Sequence, residues 1–121
     1  MSSAKDKTFN KSATVSSSRF GRPTAAIPEG VSLDAIAFRL SLTRRVFDLA
    51  QKDFCSAAGI SPNTYNQYEN GKKRPAIENA IALCDRYGLT LDWIYRGNTV
   101  GLSDVLSEAI KGLVAASNLS V

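Results

Sequence analysis

The sequence contains no histidine. The commonest general base and the commonest metal ligand are therefore missing. Cysteine is scarce: Cys55 and Cys84 stand far apart in apolar surroundings, and no CxxC occurs. Two lone thiols cannot complete a tetrahedral zinc site. Both are expected to be reduced core residues rather than a disulfide. Neither GxGxxG nor GxxxxGK[ST] is present, and no Ser, Cys or Asp has a base at motif spacing. The expectation is a protein that is not an enzyme and uses no metal or cofactor. No apolar run approaches the roughly 20 residues of a membrane span. The opening MSSAKDKTFNK lacks the apolar stretch of a secretory signal. A cytoplasmic protein without a membrane partner is expected. Excess charge is also small: 15 Lys and Arg against 11 Asp and Glu give +4 and a pI near 9.3. That balance permits nucleic acid as a partner without demanding it, and suits acidic metabolites or proteins equally.

What is present suits one modest domain in 121 residues. Residues 1–32 stand apart, with seven serines, five Lys or Arg against two acids, and Pro23, Pro28, Gly21 and Gly30. Their large apolar residues follow neither a helical nor an alternating period. They read as a flexible, mildly basic arm. It is either a solvated tail or an arm that adds DNA contacts through Arg19 and Arg22.

From Ser32 the pattern turns helical. Leu33, Ile36, Ala37, Leu40, Arg44 and Phe47 predict a first helix over about 33–47, capped by Ser32. A short helix over 51–58 follows, with Phe54, Cys55 and Ala58 inward, and Gly59 breaks it. Ser61-Pro62 opens a third helix to Glu69, with Tyr65 and Tyr68 inward. Asn70-Gly71 is a turn signal. A fourth helix is predicted over 76–87, with Ile77, Ala80, Ile81, Cys84 and Tyr87 on its inner side, ended by Gly88. Thr90 caps a fifth, Leu91 to Tyr95, closed by Gly97. No stretch reads as a strand. The fold class is all-α: a compact five-helix domain over residues 33–97, with residues 98–121 as a linker and a short amphipathic C-terminal helix. In that helix Val105, Leu106, Ala109, Ile110, Leu113 and Val114 form an apolar stripe over 103–116. It serves either as a dimer element or as a helix that packs back on the same domain.

Residues 51–71 are the most informative. Two helices that cross steeply need a small residue where they approach, and Cys55 occupies that place. Gly59 allows the sharp turn, and Ile60 and Tyr65 fill the junction. Pro62, Asn63, Asn66 and Gln67 are left outward, with Thr64 beside them. A plain solvated face tends to carry Lys and Glu, and this one has neither. Asn and Gln can each form two hydrogen bonds with adenine in the major groove.

The order Gly59-Ile60-Ser61, then Glu69-Asn70-Gly71-Lys72-Lys73-Arg74-Pro75, resembles the phage-repressor (Cro/CI, XRE-type) helix-turn-helix family. Gln51 and Leu91-Asp92-Trp93-Ile94-Tyr95-Arg96-Gly97 extend the resemblance over about residues 35–97. It implies a lambda-repressor-like domain that binds double-stranded DNA as a transcriptional regulator, most simply a repressor. In that reading Pro62, Asn63, Asn66 and Gln67 read bases. Gln51, Thr64, Lys72, Lys73 and Arg74 contact phosphates. Arg44 and Glu69 form a structural ion pair. The departures are Ala50 in place of a Ser or Thr cap, Cys55 in place of alanine, and Pro62, which offers only apolar contact where a hydrogen-bonding residue is usual. One such domain reads few base pairs, so the resemblance implies a homodimer on DNA. No ligand-sensing domain is expected in the C-terminal stretch, leaving regulation to abundance or to a protein partner. The alternative is an antitoxin-like or anti-activator-like interaction module that uses the helix-turn-helix secondarily.

Overall fold

Helices in this chain begin mainly where a hydroxyl can satisfy an orphan N–H. The computed structural model describes residues 27–119, with side chains as far as Ala116. Among them are six helices and no strand: α1 Leu33–Val46, α2 Gln51–Ser56, α3 Pro62–Glu69, α4 Ile77–Tyr87, α5 Leu91–Arg96 and α6 Asp104–Leu119. Ser32 Oγ accepts from Ala35 N–H at 3.1 Å, and Ser61 Oγ from Thr64 N–H at 3.2 Å. Thr90 Oγ1 accepts from Trp93 N–H at 2.9 Å, and Ser103 Oγ from Leu106 N–H at 3.2 Å. Each such cap contributes about 1 kcal/mol. α2 and α4 follow Ala50 and Ala76 and have no side-chain cap. Gly88 and Gly97, both left-handed, end α4 and α5.

All the expected helices form, with shifted ends. α2 stops at Ser56 rather than residue 58, and α6 runs to Leu119 rather than 116. The inner face of α4 differs from expectation. Ala80 and Leu83 are buried, whereas Ile77 and Ile81 remain 48% and 44% exposed. At about 100° per residue, Ala80, Leu83 and Tyr87 define one arc, and Ile81 lies roughly 130° from its centre. Apolar identity alone places Ile81 inward; helix geometry leaves it outside.

A single core joins Ile36 and Leu40 of α1, Phe54 of α2, Tyr65 and Tyr68 of α3, Leu83 of α4 and Trp93 of α5. It extends past both boundaries drawn from the sequence. Ile27 packs against it, Leu102 of the expected linker is buried in it, and Leu106, Ile110 and Val114 of α6 belong to it. The α6 stripe is therefore split. One side packs back on the domain, while Val105, 83% exposed, and Ala109 stay outside.

Arg39, on α1, is fully buried at the centre of this arrangement. Nε donates to Trp93 O at 3.1 Å, and Nη2 to Ile94 O at 3.0 Å and Gly30 O at 2.8 Å. Nη1 donates to Pro28 O at 2.7 Å. The cation thus neutralises carbonyls at the C-terminal end of α5, where a helix dipole is negative. It also ties residues 28–30 to the domain. Burial pushes its pKa down to about 10, which leaves it charged at neutrality. Thr43 Oγ1 donates to Arg39 O at 2.7 Å and accepts from Trp93 Nε1 at 2.9 Å. The buried polar groups of α1 and α5 thus satisfy one another.

Candidate nucleic-acid interface

The bend between α2 and α3 follows from three residues. Gly59 adopts φ +77°, a conformation open to glycine at little cost. Ile60 N–H then donates to Cys55 O at 3.0 Å, closing the turn. Cys55 is wholly buried at the crossing, and its small side chain lets the helices approach. Both thiols are free, and burial raises their pKa, which disfavours the reactive thiolate. Beneath the bend, the Phe54 ring stacks on Tyr87 with centroids 4.2 Å apart and lies 5.5 Å from Tyr65. Tyr87 OH donates to Phe54 O at 2.6 Å, so α4 fixes the C-terminal half of α2.

With Tyr65 and Tyr68 turned inward, α3 presents the side expected of it. Pro62, Asn63 and Asn66 are exposed, and Thr64 and Gln67 are half-buried. Ser61 Oγ donates to Thr64 Oγ1 at 2.9 Å, which leaves the Thr64 hydroxyl hydrogen available to an acceptor.

Behind this face lies a buried carboxylate. Arg44 Nε donates to Glu69 Oε2 at 2.7 Å, and Arg44 Nη2 to Oε1 at 3.2 Å. The pairing raises the Arg44 pKa, chiefly through its hydrogen bond to Glu69. Tyr65 OH donates to Oε2 at 2.6 Å. Burial, and then the Glu69 charge, raise the Tyr65 pKa far above the usual phenol range. Gln51, at the first position of α2, donates from Nε2 to Glu69 Oε1 at 2.9 Å. Its Oε1 accepts from Asn66 Nδ2 at 2.9 Å. Gln51 thus spends one N–H and one lone pair as a strut between the helices, and its second N–H takes no part in either bond.

The α3–α4 loop is held at both ends. Gly71, at φ +70°, sits so close to α1 that a Cβ would meet Asp34 Oδ1 at 3.0 Å. Tyr68 OH accepts from Ala76 N–H at 3.3 Å and from Asn79 Nδ2 at 2.8 Å, and Tyr95 OH donates to Pro75 O at 2.8 Å. Lys72, Lys73 and Arg74 project from the span between, all exposed. Arg74 also donates to Val31 O, so it fastens the segment before α1 as well as adding charge. Arg19 and Arg22 lie outside the described residues.

Three contributors went unnamed in the sequence reading: Arg39, Asn70 and the hydroxyl of Tyr68. Arg39 lies on the inward arc set by Ile36, Leu40 and Thr43, so the helical period did contain the signal. By sequence Asn70 is a turn residue and part of the Glu69–Pro75 motif, with no side-chain partner indicated. Its side chain donates to Asn66 Oδ1 at 2.8 Å.

Among the described residues, no group of three or more His, Cys, Asp or Glu could hold a metal ion, and no helix is long and apolar enough to cross a membrane. No curated protein and no solved structure gave a significant match to the chain. Residues 44–94 match the family model described as helix-turn-helix, a span from the last turn of α1 into α5. Residues 44–94 therefore form a helix-turn-helix segment of the Cro/CI (XRE) type, the type of domain found in DNA-binding transcription regulators.

Proposed function

We propose that α3 lies in the major groove of double-stranded DNA and that the protein represses transcription by occupying a promoter. The observation that carries this reading is the outward side of α3. It bears Asn63, Asn66 and Gln67 with no Lys or Glu among them, and Lys72, Lys73 and Arg74 project from the adjoining loop. Asn63, Asn66 and Gln67 read base edges, and Pro62 packs on a thymine methyl. Gln51 and Thr64 contact phosphates from the two sides of the bend. Lys72, Lys73 and Arg74 supply sequence-independent attraction through counterion release. A protein at work on chromosomal DNA would reside in the cytoplasm.

A second copy of the chain completes the reading. The outer side of α6, with Val105 and Ala109, borders an apolar groove of about 380 Å³ that includes Val46, Phe47 and Tyr87. Phe47 is 36% exposed there. DNA binding has no use for such a surface, and a symmetric pair of half-sites needs a dimer. The same surface favours a second reading, in which a regulatory protein docks on α6 as in an antitoxin or anti-activator. A co-purifying unrelated chain would support that alternative.

The test is selection of bound fragments from random duplexes, followed by titration of variants. Asn63→Ala should relax the preference at one base pair by about 1–3 kcal/mol. Lys73→Ala should weaken every sequence alike and lower the salt slope by about one. Equal binding by the parent and both variants would contradict the placement of α3.

A further inference from the structure

The amides that run outward from Glu69 can point in one direction only. A carboxylate has acceptors and no donor. Gln51 must therefore turn Nε2 toward it, and the distance is 2.9 Å. That rotation leaves Gln51 Oε1 facing Asn66, whose Nδ2 donates to it at 2.9 Å. Asn66 Oδ1 in turn faces Asn70 and accepts from Nδ2 at 2.8 Å. The origin of the series is fixed, because Arg44 and Tyr65 hold Glu69 and its side chain is only 5% exposed. Orientation is thus transmitted from a buried charge to exposed amides on α3.

A side-chain amide offers two N–H groups and two lone pairs. Asn66 spends one of each within the protein and keeps one of each on an exposed side chain. The remaining pair matches the N7 acceptor and N6 amino donor of adenine. An amide without such ties turns over easily and presents donor and acceptor in reversed positions.

We infer that Asn70 is a positioning residue: together with Gln51 it fixes which way round Asn66 meets the base, and so makes the base pair beneath Asn66 adenine-specific. The inference rests on α3 entering the major groove as proposed above. Asn70 need not touch the DNA to have this effect.

The experiment uses the full chain and a duplex obtained by selection. The position read by Asn66 is the one whose preference Asn66→Ala abolishes. Adenine is expected there. Replacement by 7-deazaadenine, or by purine lacking the N6 amino group, should each weaken binding of the parent. Asn70→Ala and Asn70→Asp should both shrink discrimination at that position about fivefold, the effect of losing one neutral hydrogen bond. Preferences at the other positions should be unchanged. Asn70→Asp keeps the shape but has no N–H to donate, and comparing ratios cancels the uniform effect of its added charge. Three results would each overturn the inference: unaltered ratios in both variants, an equal loss at every position, or a base other than adenine. Enrichment of no duplex at all would instead remove the reading of α3 on which it stands.

Discussion

Replacing Arg39 with methionine isolates what a buried cation held by main-chain carbonyls does for this fold. Methionine keeps most of the apolar stem volume and removes all four donor contacts. The consequences differ among the acceptors. Trp93 O retains the Gly97 N–H at 3.0 Å. Pro28 and Gly30 are not fully buried, so water can replace the guanidinium there. Ile94, by contrast, is wholly buried, and its carbonyl loses the guanidinium donor. Such an orphaned group costs about 1–3 kcal/mol. Releasing residues 28–30 from α5 adds to the loss, while removing a desolvated cation offsets part of it. The net expectation for Arg39→Met is a destabilisation of about 2–4 kcal/mol. Trp93, the sole tryptophan and fully buried, reports unfolding by fluorescence. The urea midpoint should fall with the slope unchanged. Hydrogen exchange should show the Gly30 amide, which donates to Arg96 O at 3.3 Å, losing protection before the amides of α3. A variant within about 0.5 kcal/mol of the parent, a change typical of an inconsequential surface substitution, would refute the reasoning.

Three further outcomes follow from the packing and the Glu69 site. Leu83→Ala should cost about 2–5 kcal/mol by chemical denaturation, whereas Ile81→Gln should stay within about 0.5 kcal/mol; the reverse order would contradict the observed face of α4. Arg44→Ala and Glu69→Ala should each be strongly destabilising but far less than additive together, because the second substitution removes the charge stranded by the first; additive effects in a double-mutant cycle would contradict the pairing. Tyr65 has its pKa raised above the ordinary 10 in the folded protein. Its contribution is complete below that pH and is lost as the pH rises past it. Tyr65→Phe should therefore flatten the alkaline decline in stability above pH 10, and an unchanged decline would count against the burial of the Tyr65 hydroxyl beside Glu69.

The helices that declared themselves in the sequence were those with local signals. Ser32, Ser61, Thr90 and Ser103 all cap as their chemistry suggests, and Gly59, Gly88 and Gly97 all turn the chain at positive φ. The exposed amides of α3 were also legible, because Tyr65 and Tyr68 declare its inner side. Long-range partners were less so. The helical period places Arg39 inward, but its carbonyl partners on α5 are distant along the chain and no local pattern announces them. Asn70 looked complete as a turn residue, since its bond to Asn66 depends on the rotation imposed by Glu69 through Gln51. The two roles left open for α6 resolve in part: Leu106, Ile110 and Val114 pack inward, and the side bearing Val105 does not. A stripe read as continuous in sequence becomes two surfaces when wrapped on a helix.

The most direct measurement is the residue-resolved NMR footprint of a selected duplex on the protein. Side-chain amide resonances of Asn63, Asn66 and Gln67 should shift most, with the backbone of residues 61–67 and 72–74. Those of α4 and α6 should move little apart from changes due to dimerisation. Saturable DNA binding that leaves the α3 amides unmoved while shifting another helix would contradict the account.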